Sequence, residues 1–194
     1  IADRMTGAQS SIAEHFSDAS ILFADLVGFT KIARAASPEQ LVDLLGGIFS
    51  DFDPLTDQLN LEKIKTIGDS YMIAGGVPEP SERHCDRMAT MAILMQKHIN
   101  QIPRFNGTEI QLRVGIHSGP VIAGVIGTRK FAYDLWGDTV NIASRMESHG
   151  LPGRIQVSEV VYEKLRDNFR FEERGIINVK GRGTMTTYWL ISAL

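Results

Sequence analysis

Residues 62–77, EKIKTIGDSYMIAGGV, read as two short strands folded back on each other about Gly68 and Asp69. A glycine–aspartate pair between apolar-rich runs is a hairpin signal, because both residue types accept tight-turn backbone angles. Pro78 and Pro80 close the unit. Side chains alternate faces along a strand, so Lys63 and Lys65 are expected on one face and Ile64 on the other.

Upstream, SILFADLV at 20–27 is a short apolar run that suits a buried strand. Ser37, Pro38 and Gln40 carry the marks of a helix start, with a capping serine, a proline in the first turn and a glutamine to close the box. Leu41, Leu44, Leu45, Ile48, Phe49, Phe52 and Leu55 then recur at helical spacing. Downstream, Ser81 to about Asn100 predicts a second amphipathic helix. Residues 110–117 and 120–126 predict another strand pair, turning at Ser118 and Gly119. A helix follows from Asp138 to about His149, then a strand at 154–158 and a helix from Ser158 to about Phe169. Two late strands are expected near 175–180 and 186–192. Helices and hairpins in this order predict an α+β layer, with helices on a mostly antiparallel sheet.

Composition agrees with a globular domain. Of 194 residues, 43% are apolar and 22% charged, and the net charge is −3. No basic run offers a nucleic-acid footprint, so no nucleic-acid partner is expected. Cys85 is the single cysteine, which excludes a disulfide framework and a cysteine-based metal site. No apolar stretch approaches the roughly 18–20 residues that cross a bilayer. The chain starts at Ile1 rather than methionine and reads as a fragment of something longer. Residues 1–17 are expected to be a helical leader from an upstream region, and 18–194 a catalytic domain.

Two carboxylates stand out. Asp25 sits at the end of an apolar strand, where an unpaired charge is costly. Asp69 sits in the hairpin turn, where aspartate is also ordinary turn chemistry. On adjacent strands the two would converge at one edge of the sheet and offer hard oxygen ligands of the kind magnesium takes.

Five ordered blocks sharpen this: ILFADLVGFT at 21–30, EKIKTIGDSYM at 62–72, LRVGIHSGPVIAGVIG at 112–127, YDLWGDTVNIASRME at 133–147 and GIINVKGRG at 175–183. Together they resemble the catalytic domain of class III adenylyl and guanylyl cyclases, over about Ser20 to Leu190. The resemblance implies a ferredoxin-like core with additional strands and helices, acting as a head-to-tail homodimer with two shared sites. It implies two divalent metal ions per site (Mg2+ or Mn2+), held by Asp25, Asp69 and the Leu26 backbone carbonyl. It places Arg113 and Lys180 at the phosphates, with Arg182 a lesser candidate there. Lys65 and Asp134 fall at the purine, Asn141 at the ribose, and Arg145 at the transition state. Asp25, Asp69 and Arg113 would come from one protomer, and Lys65, Asp134, Asn141, Arg145 and Lys180 from its partner.

The purine readers favour ATP. Adenine presents an acceptor ring nitrogen beside a donor amine, which a lysine and an aspartate complement. Guanylyl members of the family typically place an acid and a small polar residue or cysteine there. Asp134 also departs from the threonine of the bicarbonate-responsive branch. The expected activity is therefore an adenylyl cyclase making a cyclic nucleotide second messenger, in a cytoplasmic domain joined to an upstream regulatory or membrane-anchoring region. Two alternatives stand beside it: a guanylyl cyclase, and a catalytically silent nucleotide-binding dimerisation module. The Gly-Gly-Asp/Glu-Glu-Phe signature of diguanylate cyclases is absent from the turn, which reads Ile67-Gly68-Asp69-Ser70.

Overall fold

The computed structural model describes residues 11–102, 104–126, 132–179 and 181–194. Its elements run β1 (Ser11–Val27), α1 (Phe29–Ala35), α2 (Pro38–Gln58), β2 (Glu62–Ile67), β3 (Ser70–Gly75), α3 (His84–Ile99), β4 (Gln111–Ile126), β5 (Ala132–Trp136), α4 (Asp138–Ser148), β6 (Ile155–Ser158), α5 (Glu159–Leu165), β7 (Phe169–Val179) and β8 (Gly183–Ala193). The sheet order is β2-β3-β1-β4-β6-β8-β7, with β5 paired to the far half of β4. The first four strands and the helices between them form the β-α-β-β-α-β unit of a ferredoxin-like core. The α+β reading holds. Among the described residues no helix is long and apolar enough to cross a membrane.

Two apolar clusters clasp the sheet. On one face Leu22, Ala24 and Leu26 of β1 meet Phe52 of α2 and Met88, Met91 and Met95 of α3. On the other, Ile21 and Phe23 meet Leu135 of β5 and Ala143 of α4. Helix α2 starts as its sequence specifies. The Gln40 amide donates to Ser37 Oγ at 3.2 Å, and the Ser37 amide donates to Gln40 Oε1 at 3.0 Å.

The elements depart from expectation in three respects. Residues 11–17 are not helical: they are the first part of β1 and pair with the end of β4, Ser11 facing Ile126. The rest of the expected leader, residues 1–10, lies outside the described residues. Second, β4 does not turn at Ser118 and Gly119 but runs on as one strand. Ser118 instead donates its hydroxyl to Asp18, and Gly119 makes room for Thr139, whose Oγ1 would lie 2.8 Å from an added Cβ. The glycine serves a close approach, not a bend. Third, α1 and β5 are elements that the sequence pattern did not announce. Both are short, five to seven residues, where periodicity has little to act on.

The long β1–β4 pair curls over the sheet. Lys65 shares a row with Met72, Phe23 and Gly115, whereas Asp134 faces Gly124. Along a flat strand, Gly115 to Gly124 would span roughly 30 Å at about 3.3 Å per residue. Yet Lys65 Nζ lies 2.5 Å from Asp134 Oδ2. A register shift in β1 between Phe16 and Ala19 marks the bend, as bulges do.

Helix α4 packs on β4 with no tolerance at Gly115. A Cβ there would sit 1.9 Å from the Glu147 amide nitrogen and 2.5 Å from its Cα. Backbone cannot yield as a side chain does, so Gly115→Ala forces the helix off the sheet. The expected cost is about 3 kcal/mol or more of folding stability, at the severe end for a single change. A fall in the urea midpoint of the purified variant checks it; an unchanged midpoint contradicts the packing.

Candidate active site

Asp25 and Asp69 do converge. Asp25 is on β1 and Ser70, which opens β3, is its partner across the ladder. Asp69 occupies the turn just before, where Gly68 takes a left-handed φ of 63° that glycine accepts freely. The Asp69 carboxylate lies close enough to act on the Asp25 carboxyl. Burial, then the facing Asp69 charge, push the Asp25 carboxyl above the usual aspartate range, while Arg113 pulls the other way.

Arg113 is the direct cross-strand partner of Asp25 on β4. Its Nη2 donates to Asp25 Oδ2 at 3.1 Å and its Nε to Glu147 Oε1 at 2.6 Å. Burial, chiefly, raises the Glu147 carboxyl, with Arg113 opposing the rise. The Leu26 side chain points to the opposite, apolar face, leaving its backbone as the only part beside Asp25. Among the described residues no three acidic, histidine or cysteine side chains converge on one point. Two mutually repelling carboxylates with hard oxygens nonetheless fit magnesium or manganese, which keep waters and substrate phosphates as their other ligands.

Lys65 and Asp134 form the second cluster, half-buried and side by side. The expected shared face of Lys63 and Lys65 is wrong. Lys63 pairs with Ile73 and Lys65 with Met72, so Ile64 is an extra residue in β2 and a bulge separates them. Lys63 therefore turns to α2, where Asp53 Oδ1 accepts from its Nζ at 2.7 Å and from the Tyr71 hydroxyl at 2.5 Å. Lys65 emerges on the other face, the one carrying β5. One inserted residue flips all that follows.

Asn141 and Arg145 are exposed, one turn apart on α4. No ion pair among the described residues holds the Arg145 guanidinium. Arg182 pairs with Asp138 at the start of that helix. Lys180 lies outside the described residues.

A sequence profile described as "Adenylate and Guanylate cyclase catalytic domain" matches residues 12–192. The chain belongs to this cyclase family. An adenylate cyclase of Mycobacterium tuberculosis is 50% identical over 192 residues, 98% of this chain and 43% of its own length. The human guanylate cyclase soluble subunit beta-2 is 45% identical over 196 residues, covering 100% of this chain and 32% of that subunit. The cyclase domain thus spans less than half the length of either curated relative. Among solved structures, the guanylate cyclase domain of a Catenaria anguillulae protein in complex with GTP superposes with a TM-score of 0.90, at 32% identity, over 93% of this chain and 100% of that one.

The partner of Arg113 on α4, Glu147, was not singled out by the sequence pattern. Glu147 lies on the buried stripe of α4 with Thr139, Ile142, Ala143 and Met146. An acid at a position of that spacing is the signal that could have found it, since buried carboxylates require partners.

Proposed function

We propose that this domain is an adenylyl cyclase, converting ATP to 3′,5′-cyclic AMP and pyrophosphate at sites built from two copies of the chain. The observation that carries the choice of purine is the Lys65–Asp134 pair. A cationic donor and an anionic acceptor stand side by side, at 2.5 Å, and complement the ring nitrogen and exocyclic amine of adenine. Guanine would set a ring N–H against the lysine and a carbonyl against the aspartate, leaving both desolvated and mispaired.

In the reaction the ribose 3′-oxygen attacks the α-phosphorus in line, the bond to the bridging oxygen breaks, and pyrophosphate leaves as the hydroxyl proton is lost. Asn141 orients the ribose, and the Arg145 guanidinium meets charge growing on the α-phosphoryl oxygens. Arg113 and Lys180 hold the remaining phosphates. Asp25 and Asp69, with the Leu26 carbonyl, would hold two divalent cations, which supply Lewis-acid polarisation and charge neutralisation at the triphosphate.

The geometry of α4 supports sharing between copies. Arg145 and Glu147 are two residues apart, which is about 200° around a helix. Glu147 faces inward onto Arg113 and Asp25, so Arg145 faces away from the carboxylates of its own chain. A symmetric head-to-tail dimer gives Arg145 a set of carboxylates to serve. The relatives' greater length supports an upstream regulatory or membrane-anchoring region in the parent protein.

Cyclic nucleotide production from ATP and from GTP with manganese, followed against protein concentration, tests the reading. Specific activity should rise with concentration as dimers form, and cyclic AMP should dominate. Dominant cyclic GMP would transfer the assignment to a guanylyl cyclase, and tight ATP binding with no cyclic product to a silent module.

A further inference from the structure

We infer that Glu147 is a positioning residue for the phosphate-binding arginine, fixing the Arg113 guanidinium in the plane that a triphosphate requires; this rests on the cyclase reading of Arg113. A guanidinium is a rigid planar fork, and two anchored N–H groups determine its plane. Glu147 takes the Nε hydrogen at 2.6 Å and Asp25 takes one on Nη2 at 3.1 Å. Nη1 has no partner among the described residues and is left for a ligand.

The carrier of this acid is unusually constrained. The Glu147 backbone touches β4 so closely that Gly115 has no room for a Cβ. One turn on, a Cβ at Gly150 would come within 3.0 Å of Arg113 Cγ, so the end of α4 also walls the arginine's aliphatic stem. Glu147 itself is 8% exposed. A side chain seated on a packed helix holds its partner far better than one on a loop. Asp25 alone could not do this. It is contested by Asp69 and by any cation, so a second anchor outside the metal-side pair keeps Arg113 oriented whatever occupies the site.

Arg113 would meet the phosphates alike in the ground and transition states. Loss of its orientation should therefore appear in KM more than in kcat. Glu147→Ala is expected to raise the KM for ATP with manganese about tenfold, within the range found when an outer partner of a site ligand is removed, with kcat changed less than about threefold. Glu147→Gln keeps an acceptor oxygen without the charge and should fall between, at about threefold. The decisive readout is a double-mutant cycle with Arg113→Ala. If Glu147 acts through Arg113, adding Glu147→Ala to Arg113→Ala leaves KM where Arg113→Ala put it. An additive further loss, or an unchanged KM in folded Glu147→Ala dimers while Arg113→Ala raises it, overturns the inference alone. An unchanged KM in Arg113→Ala overturns the reading of Arg113 and this inference with it. Should Glu147→Ala not give folded dimers, Glu147→Gln carries the same cycle with the smaller effect.

Discussion

Exchanging Lys65 for glutamate together with Asp134 for cysteine should turn the purine preference from ATP to GTP. The ratio of the two kcat/KM values should shift by about 100-fold or more, as expected where buried hydrogen-bonding groups must match their substrate. A glutamate accepts from the guanine ring N–H, and a thiol is a weak donor to its carbonyl. The pair must change together. Lys65 Nζ and Asp134 Oδ2 are 2.5 Å apart, so Lys65→Glu alone sets two carboxylates against each other and should cripple both activities. Asp134→Cys alone leaves a lysine without its counter-ion. Folding should survive, because a half-exposed ion pair contributes only about 0–1 kcal/mol. Competition of ATP and GTP for the double variant, with both cyclic products quantified, checks the result. A folded, active double variant that still prefers ATP would remove Lys65 and Asp134 from purine recognition.

That prediction depends on a residue whose identity was legible in the sequence and whose orientation was not. Strict alternation along EKIKTI put Lys63 and Lys65 together, and only the bulge at Ile64 separates them. A bulge has no period, so a period-two reading passes over it. The clamp of Lys63 and Tyr71 on Asp53 is a tertiary contact that no local pattern announces. Asp25 and Asp69 were easier, because a charge ending an apolar strand and a glycine-led turn are local signals. The α+β layer followed from helix and strand order for the same reason, whereas the ferredoxin-like core was implied by the family resemblance of the five ordered blocks. Ser118 and Gly119 misled because serine and glycine have two uses, turn formation and close packing. Only the neighbours, Asp18 and Thr139, decide between them. Residues 11–17 misled differently: their strand partners lie more than a hundred positions away on β4, beyond the reach of any window.

Asp25→Ala and Arg145→Ala should each be nearly inactive alone and should restore activity when mixed. Removing Asp25 deletes a carboxylate that burial and Asp69 already disfavour as an anion, and Arg113 keeps its bond to Glu147. Arg145 is exposed, with no ion pair among the described residues to lose. Neither change should unfold the domain, so loss of activity reports chemistry. Loss of Arg145 alone should lower kcat by about 100-fold or more, as removal of a single transition-state donor does. In a head-to-tail dimer of the two variants, one site receives both defects. The other receives the intact Asp25 of one chain and the intact Arg145 of its partner. With random association of equal amounts, half the dimers are mixed and each has one working site of two. Recovery should therefore approach roughly a quarter of the wild-type specific activity. A site built within one chain predicts no recovery at any ratio, because each chain then carries its own defect into its own site. Activity assays of the mixture, with mixed dimers verified by differently tagged chains, separate the two. The outcome turns on α4, whose inner face holds Arg113 by way of Glu147 and whose outer face offers Arg145. A helix cannot present both faces to one pair of carboxylates, so on the proposed reading recovery in the mixture would make the second copy a component of the site rather than a support for it.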